Sequence, residues 1–364
     1  MSDFFLSPRF CSIYIGLTIW LILAGSSFAA PLTVAVPETF DSSTFTQAFL
    51  VPYGKDAKIT VASVTWSGRL EDLALRRSLD GQSSEWDLAL IGDAELDQAC
   101  QNGAIDRFDL QAFRAKEQFI AAATHRCGLG AFIYPISLIY DSKRFTGREP
   151  DSWAALWDIK RFPGKRILPG TARYTMEIAL LADGVPPREV YSVLKTTEGI
   201  ERAFKKLADI KNQIQWATTP EAVAQSLASG EVAMAIGSFN RAKPIKTTQG
   251  IPLKTIDNCN IYSLAYWAIP KGTKHKKQAY ELVGYFTTAI RQRAIAENLG
   301  YGPTRKTVPG VNTNLAGLSL NGTKATALMF DSSFWSEQGS ELEARFKTWL
   351  GTNKPETIPP ATPR

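Results

Sequence analysis

From residue 32 onward, short apolar runs rich in β-branched residues alternate with stretches whose apolar positions recur at helical spacing. LTVAV (32–36) predicts a strand stopped by Pro37, STFTQAFLVPYG a helix, and KITVASV (58–64) a second strand. RLEDLALRRSL (69–79) predicts an amphipathic helix carrying Leu70, Leu73, Leu75 and Leu79, and WDLALIG (86–92) a third strand. The repeating unit is βαβ. Strands that are apolar on both faces, such as DLALIG, fit a parallel sheet enclosed by helices, so the first half of the chain is expected to be an open α/β sheet.

The run GLGAFIYPISLIYD (128–141) is long for one strand and holds Pro135 in its middle, where proline would break a central ladder. It is expected to cross between two lobes. Beyond it come the helix WAALWD (153–158), the strand RILP, the helix MEIALLADGV and the helix GIERAFKKLADIK (199–211). The strand IQWAT (214–218), the helix PEAVAQSLASG and the strand EVAMAIGS (231–238) complete a second α/β lobe. YSLAYWAIP (262–270) repeats the pattern of an apolar run closed by proline and predicts a second crossover. The helix pair in 276–300 is expected to return to the first lobe, the helix in 332–350 to the second, and the proline-rich tail 351–364 to be disordered. The resulting partition is 30–139 with 267–305 for lobe 1 and 140–266 with 306–350 for lobe 2.

Composition narrows the class. A length of 364 residues corresponds to about two domains, and 45% hydrophobic against 21% charged residues excludes a wholly disordered or collagen-like chain. The net charge of +6 is spread along the chain, which gives no basis for a nucleic-acid partner. With two histidines, four cysteines and no C-x-x-C or H-E-x-x-H, no metal or other cofactor is expected. Near the N-terminus, Cys11 to Ala24 is an apolar run of 14 residues preceded by Arg9. Ser27 and Ala29 flank Phe28 as small residues, so 1–29 is expected to be a signal peptide cleaved near Ala29. A transmembrane anchor is the alternative, but crossing a bilayer takes about 20 apolar residues.

Export permits disulfides, and cleavage leaves Cys100, Cys127 and Cys259. Cys100 and Cys127 are the better pair, since one ends a helical segment and the other opens the long strand after it. Three reduced core cysteines remain the other possibility.

The order and spacing of WDLALIGDAELDQACQNGAIDRFD (86–109), CGLGAFIYPISLIYDSKRF (127–145) and WAALWDIKRFPGKR (153–166) carry a family resemblance. EIALLADGVPPREVYSVLKTTEGIERAFKKL (177–207), WAIPKGT (267–273) and LGYGPT (299–304) extend it. The chain resembles the extracellular solute-binding proteins of ABC importers, in the branch of the spermidine/putrescine-binding proteins, over nearly its whole mature length. The resemblance implies a type II-like two-lobe periplasmic binding protein, each lobe a mainly parallel sheet flanked by helices, with two hinge crossovers. It further implies a monomer that closes by hinge motion on a small solute and delivers it to an ABC permease in the inner membrane. The cysteines of relatives that match Cys100 and Cys127 look paired.

A polyamine cleft needs aromatic faces for the methylenes and carboxylates for the ammonium ends. Here the sequence departs from that pattern: Ala265 stands where an aspartate precedes A-I-P, and Thr171 and Tyr174 stand where two acids are expected. Strand ends of the first lobe offer Glu38, Phe40, Trp66 and Asp93 as ligand-binding residues. Tyr174, Trp216, Phe239, Asn240, Arg241, Tyr262 and Tyr266 are the candidates on the other side, with Arg241 suited to a carboxylate. Trp66, Trp216 and Tyr262 have core filling as the alternative, and Asp93 has helix capping. No residue is expected to be catalytic. The competing functions are an exported two-lobe enzyme and a sensor-linked receptor without a transport role, but no G-x-S-x-G is present and neither His125 nor His275 is well placed as a general base.

Overall fold

The computed structural model describes residues 31–38, 40–67, 85–145, 147–217, 220–237, 252–256, 259–311 and 326–351. The expected helix 69–79, the tail beyond 351 and Phe239, Asn240 and Arg241 therefore lie outside the described residues.

Strands β1 (Leu32–Pro37), β2 (Val61–Trp66) and β3 (Leu88–Gly92) form a parallel sheet with β1 in the middle. Between β1 and β2 the chain is helical from Ser42 to Ala57, as Ser42–Phe45, a π-turn Thr46–Leu50 and Val51–Ala57. The π-turn precedes Pro52, whose ring excludes the carbonyl four residues back and whose nitrogen has no proton to donate, so the wider turn lets the helix continue. Its Phe45 and Phe49 interlock with Phe286 and, through Phe45, with Trp267.

Two long strands follow, and the first of them joins this sheet to a second one. β5 (Gly128–Asp141) pairs antiparallel with β10 (Ile261–Ala268) through Ile136, then with β8 (Val232–Gly237) from Ser137 onward. β10 in turn is antiparallel to β3. Pro135 is tolerated because it sits where one edge of β5 is changing partners, between the Ile133–Gly302 bridge and the first β8 pair. On the far side, β6 (Lys165–Pro169) lies between β8 and β7 (Ile214–Ala217), both parallel to it. Short strands β4 (Thr124–His125) and β9 (Leu253–Thr255) pair with β5, and β11 (Leu328–Met329) with β10. The path is β2-β1-β3-β10-β5-β8-β6-β7.

Two large apolar cores follow from this layout. The first surrounds β1 and β3 and takes in Leu282, Val283 and Phe286 of the helix Lys276–Phe286 and Ile295 and Leu299 of the helix Ala289–Leu299. The second gathers Trp153, Ile178, Leu207 and Trp216 with Phe334, Trp335 and Phe346 of the helix Ser332–Gly351. WAALWD forms only a 3₁₀ turn, Trp153–Leu156, in that core.

Cys100 and Cys127 form a disulfide, with Cα atoms 5.8 Å apart, that ties the end of the helix Asp93–Gln101 to the start of β5. Cys259 is a half-buried free thiol whose pKa is pushed up by burial and by the nearby Asp151 charge. The bridge closes a loop across a separation of 27 residues, and on the chain-entropy model it stabilises the fold by about 3–4 kcal/mol. The double variant C100A/C127A is therefore expected to lose that much in urea unfolding at neutral pH. A loss below about 1 kcal/mol would place the stabilisation elsewhere.

Candidate functional site

In each half, the middle strand is followed by helices that lead to opposite neighbours. β1 sends the chain to β2 on one side while β3 lies on the other; β6 does the same with β7 and β8. At such a switch point the outgoing loops diverge and leave a crevice at the carboxyl ends of the strands, where open α/β sheets bind ligands. The first half places Phe40 after β1 and Asp93 and Glu95 after β3; the second places Arg173 and Tyr174 after β6. The hinge strands β5 and β10 run between them, bringing Tyr134 opposite Ser263 and Phe132 opposite Ala265.

The two switch points meet through charge. Arg173 Nη1 lies 2.6 Å from Glu95 Oε1, an ion pair between residues 78 apart in the chain. Glu95 is able to lie there because Gly92 has no side chain: a Cβ at that position would sit 2.6 Å from Glu95 Oε2. Arg173 is fixed from behind, its backbone N–H donating to Glu343 Oε1 at 3.2 Å and its guanidinium standing 5.9 Å from the Phe330 ring. Burial alone would lower the Arg173 pKa, but the Glu95 charge, followed by Tyr174, holds it above the ordinary guanidinium value.

Beside this pair runs a hydrogen-bonded chain across the hinge. Tyr174 OH donates to Ser263 Oγ at 3.1 Å, and Ser263 Oγ donates to Asp93 Oδ2 at 2.8 Å. Asp93 also accepts from the backbone N–H groups of Leu264 and Ala94. Burial lifts the Asp93 carboxyl to about 7, against the Ser263 hydrogen bond that favours its charged form, while the Glu95 charge adds to the rise. Burial likewise pushes Tyr134 up to about 12, with the Asp93 charge adding to it, and Tyr174 well above its ordinary value. Tyr174 has φ 65°, a left-handed backbone that a bulky residue adopts at a cost of about 1–3 kcal/mol. Its hydroxyl bond to Ser263 and its ring against Phe330, 5.1 Å between centroids, hold it there.

The floor is aromatic. Phe132 and Tyr301 stack at 4.2 Å, Phe40 stacks on Phe132 at 5.6 Å, and Tyr134 stands edge-on to Phe132 at 6.4 Å. Ala265, paired with both Gly92 and Phe132, keeps the sheet here apolar. The cluster brings together one guanidinium, two carboxylates and stacked rings; Asp93, Phe40 and Phe132 are buried, and Glu95, Arg173, Tyr134 and Tyr301 are half-buried. A separate cavity of about 430 Å³ opens beside the disulfide, lined by Gln101, Asp106, Arg107, Arg126 and Lys271 among others. It sits at the opposite end of the helix Asp93–Gln101 from the carboxylates and contains none of the aromatic floor.

Of the sequence-predicted residues, Phe40, Asp93 and Tyr174 come together in this cluster. Glu38 is exposed, its backbone N–H donating to Trp66 O. Trp66 packs on Trp86, and Trp216, 2% exposed, on Phe346 and Trp349; both have the surroundings of core aromatics. Tyr262 is buried in β10 opposite Pro135. Tyr266 turns away, its hydroxyl donating to Ala122 O and its ring edge-on to His125, where burial raises its pKa. Asp93 is the first residue of its helix and not the cap, which is Gly92. Glu95, Phe132, Tyr134, Arg173, Ser263 and Tyr301 join the site without having been singled out in the sequence. The signal for Arg173 was its position just after β6, the same strand-end rule that picked out Asp93. Among the described residues, no group of three His, Cys, Asp or Glu side chains is gathered as metal ligands, and no helix is long and apolar enough to cross a membrane.

Two α/β halves are joined through long antiparallel strands, and Arg173, Glu95 and Asp93 meet between their facing switch points. The bacterial extracellular solute-binding protein family matches residues 48–314, more than half of the chain. The chain belongs to that family. The γ-aminobutyric acid-binding protein of Pseudomonas aeruginosa is 32% identical over 310 residues, covering 83% of this chain and 86% of the relative. Two solved structures share the fold: an ABC transporter substrate-binding protein from Bradyrhizobium japonicum and the Atu4243-GABA receptor. The first has a TM-score of 0.78 at 24% identity and covers 88% of this chain and 100% of its own. The second has a TM-score of 0.73 at 23% identity and covers 89% and 98%. The spermidine/putrescine substrate-binding protein PotD of Streptococcus pneumoniae is more distant, with a TM-score of 0.66 and 15% identity over 88% of this chain and 99% of its own. The protein is thus a solute-binding protein of two-lobe fold.

Proposed function

We propose that this chain is the periplasmic receptor of an ABC importer and that its solute is a small amino acid of the γ-aminobutyrate kind. The observation that carries the reading is the Arg173 guanidinium paired with Glu95, with the Asp93 carboxyl nearby and the Phe132–Tyr301 stack reached through Tyr134. A carboxylate suits the arginine fork, an ammonium suits the carboxylates, and intervening methylenes suit the Phe132 and Tyr301 rings. The relative from P. aeruginosa supports the same ligand class. A diamine fits poorly, because one of its ammonium groups would meet Arg173, and Ala265 and Thr171 supply no replacement acid.

On this reading residues 1–29 are the export signal. The two lobes are 30–139 with 267–305 and 140–266 with 306–350; the sharing of β5 between sheets supports a division within that strand, while the first core also takes in Tyr262, Leu264, Ala265, Tyr266 and Ala327 and the second Ala94, Ile136 and Leu138. The monomer closes on its solute and docks on a permease in the inner membrane. It performs no chemistry on the solute: His125 is paired with Asp97 and His275 with Asp87, and among the described residues of the site no nucleophile stands beside a free base.

Thermal-shift measurement of the mature chain against γ-aminobutyrate, putrescine, spermidine, succinate and ferric ion tests the reading. A solute held only by the folded form at 100 times its Kd adds about 2.7 kcal/mol of stability, so γ-aminobutyrate at millimolar level should raise the melting temperature by several degrees. A rise with putrescine and none with γ-aminobutyrate would reject it.

A further inference from the structure

The Glu95–Arg173 pair lies where the solute's two charged ends are read, and it joins the first switch point to the second. Its side chains are 23% and 30% exposed, so solvent and solute reach them. We propose that the solute enters by exchanging with this pair, its carboxylate taking Arg173 and its ammonium taking the released Glu95. Glu95 and Arg173 then act as a specificity filter for zwitterions. The inference deepens the amino-acid reading of the site and rests on it.

The reason is charge conservation in a partly desolvated place. A monoanion that captures Arg173 strands the Glu95 carboxylate beside Asp93, whose pKa the Glu95 charge already helps to raise. A monocation that captures Glu95 strands Arg173. Leaving one member of a desolvated, hydrogen-bonded pair without its partner is what makes such a truncation costly. A zwitterion replaces the pair charge for charge and leaves neither residue alone. Glu95 has room to follow the incoming ammonium because it rests over Gly92, where no side chain confines it. Arg173 keeps its place throughout, since its backbone is held by Glu343 and its guanidinium stands near Phe330.

Calorimetric titration of the full mature chain with γ-aminobutyrate, butyrate and n-butylamine tests the exchange, using wild type, Glu95→Gln and, as a second variant, Glu95→Ser. Wild type should bind γ-aminobutyrate and hold butyrate and n-butylamine at least about thirtyfold more weakly. In both variants Arg173 has no resident carboxylate to release, so butyrate should bind at least about tenfold better than it does to wild type. With the ammonium partner gone, γ-aminobutyrate should bind at least about tenfold worse. If wild type binds γ-aminobutyrate but the variants leave both affinities unchanged, the exchange is overturned while the amino-acid reading stands. If wild type binds none of the three, both fall together.

Discussion

Arg173→Met is expected to weaken γ-aminobutyrate binding by about thirtyfold or more. The methionine keeps an apolar stem near Phe330 and leaves the backbone N–H to Glu343 intact, so what is lost is the charge and its fork. Truncating one partner of a desolvated charge pair costs about 2–5 kcal/mol in binding. Arg173→Lys should fall between, since a point charge replaces a planar fork that matches a carboxylate. Isothermal titration of the three proteins decides it. Equal affinity in Arg173→Met would move the carboxylate partner elsewhere, and Arg241→Met is the variant to measure next, because Arg241 is the arginine the sequence offers for a carboxylate.

How much of this was legible in the chain depends on whether the feature is local. Continuous apolar runs in β1, β3, β8 and β10 mark strands buried on both faces, and each is a strand buried along most of its length. The long run around Pro135 is a crossover for the reason its length implied, although the strand continues through the proline without a break. The aromatic residues divide by a subtler rule. Phe40 lies past its strand's end and stacks on Phe132 next to the site while still belonging to the first core, whereas Trp216 lies inside β7 in the second core; hydrophobicity is the same for both. Glu95 and Arg173 were the least legible. Each is unremarkable locally, one in the first turn of a helix and the other in a loop, and their chemistry arises only when two switch points far apart in sequence face one another. The same holds for Ser263, an ordinary strand residue until Asp93 and Tyr174 close on it from opposite halves.

Glu177→Gln is expected to remove about half of a loss of stability that wild type undergoes as pH rises from 5 to 8. Glu177 is fully buried in the second core, where its Oε1 accepts from Trp335 Nε1 at 2.5 Å and from Tyr191 OH at 3.2 Å while Oε2 has no partner. Burial lifts its carboxyl to about 7 in spite of those hydrogen bonds and of the Arg173 charge, and burial does the same to Asp93. Unfolded, both carboxyls return to the ordinary range near 4. Between about pH 4 and 7 the folded chain therefore binds more protons than the unfolded one, so stability falls as pH rises. The contribution is complete below about pH 4 and is lost as pH climbs through 7, on the order of 3 kcal/mol for each group. Asp97, held low by the His125 hydrogen bond, has the opposite sign and limits stability only in acid. Glutamine keeps the acceptor for Trp335 and Tyr191 and cannot ionise, at the cost of a buried amide where Oε2 was, about 1–3 kcal/mol at every pH. Urea unfolding at pH 5 and pH 8 should show the variant less stable than wild type at pH 5, with the difference between the two pH values reduced by on the order of 3 kcal/mol. An undiminished difference would mean that Glu177 is ionised in the folded core and that the Trp335 and Tyr191 hydrogen bonds, not burial, set its titration.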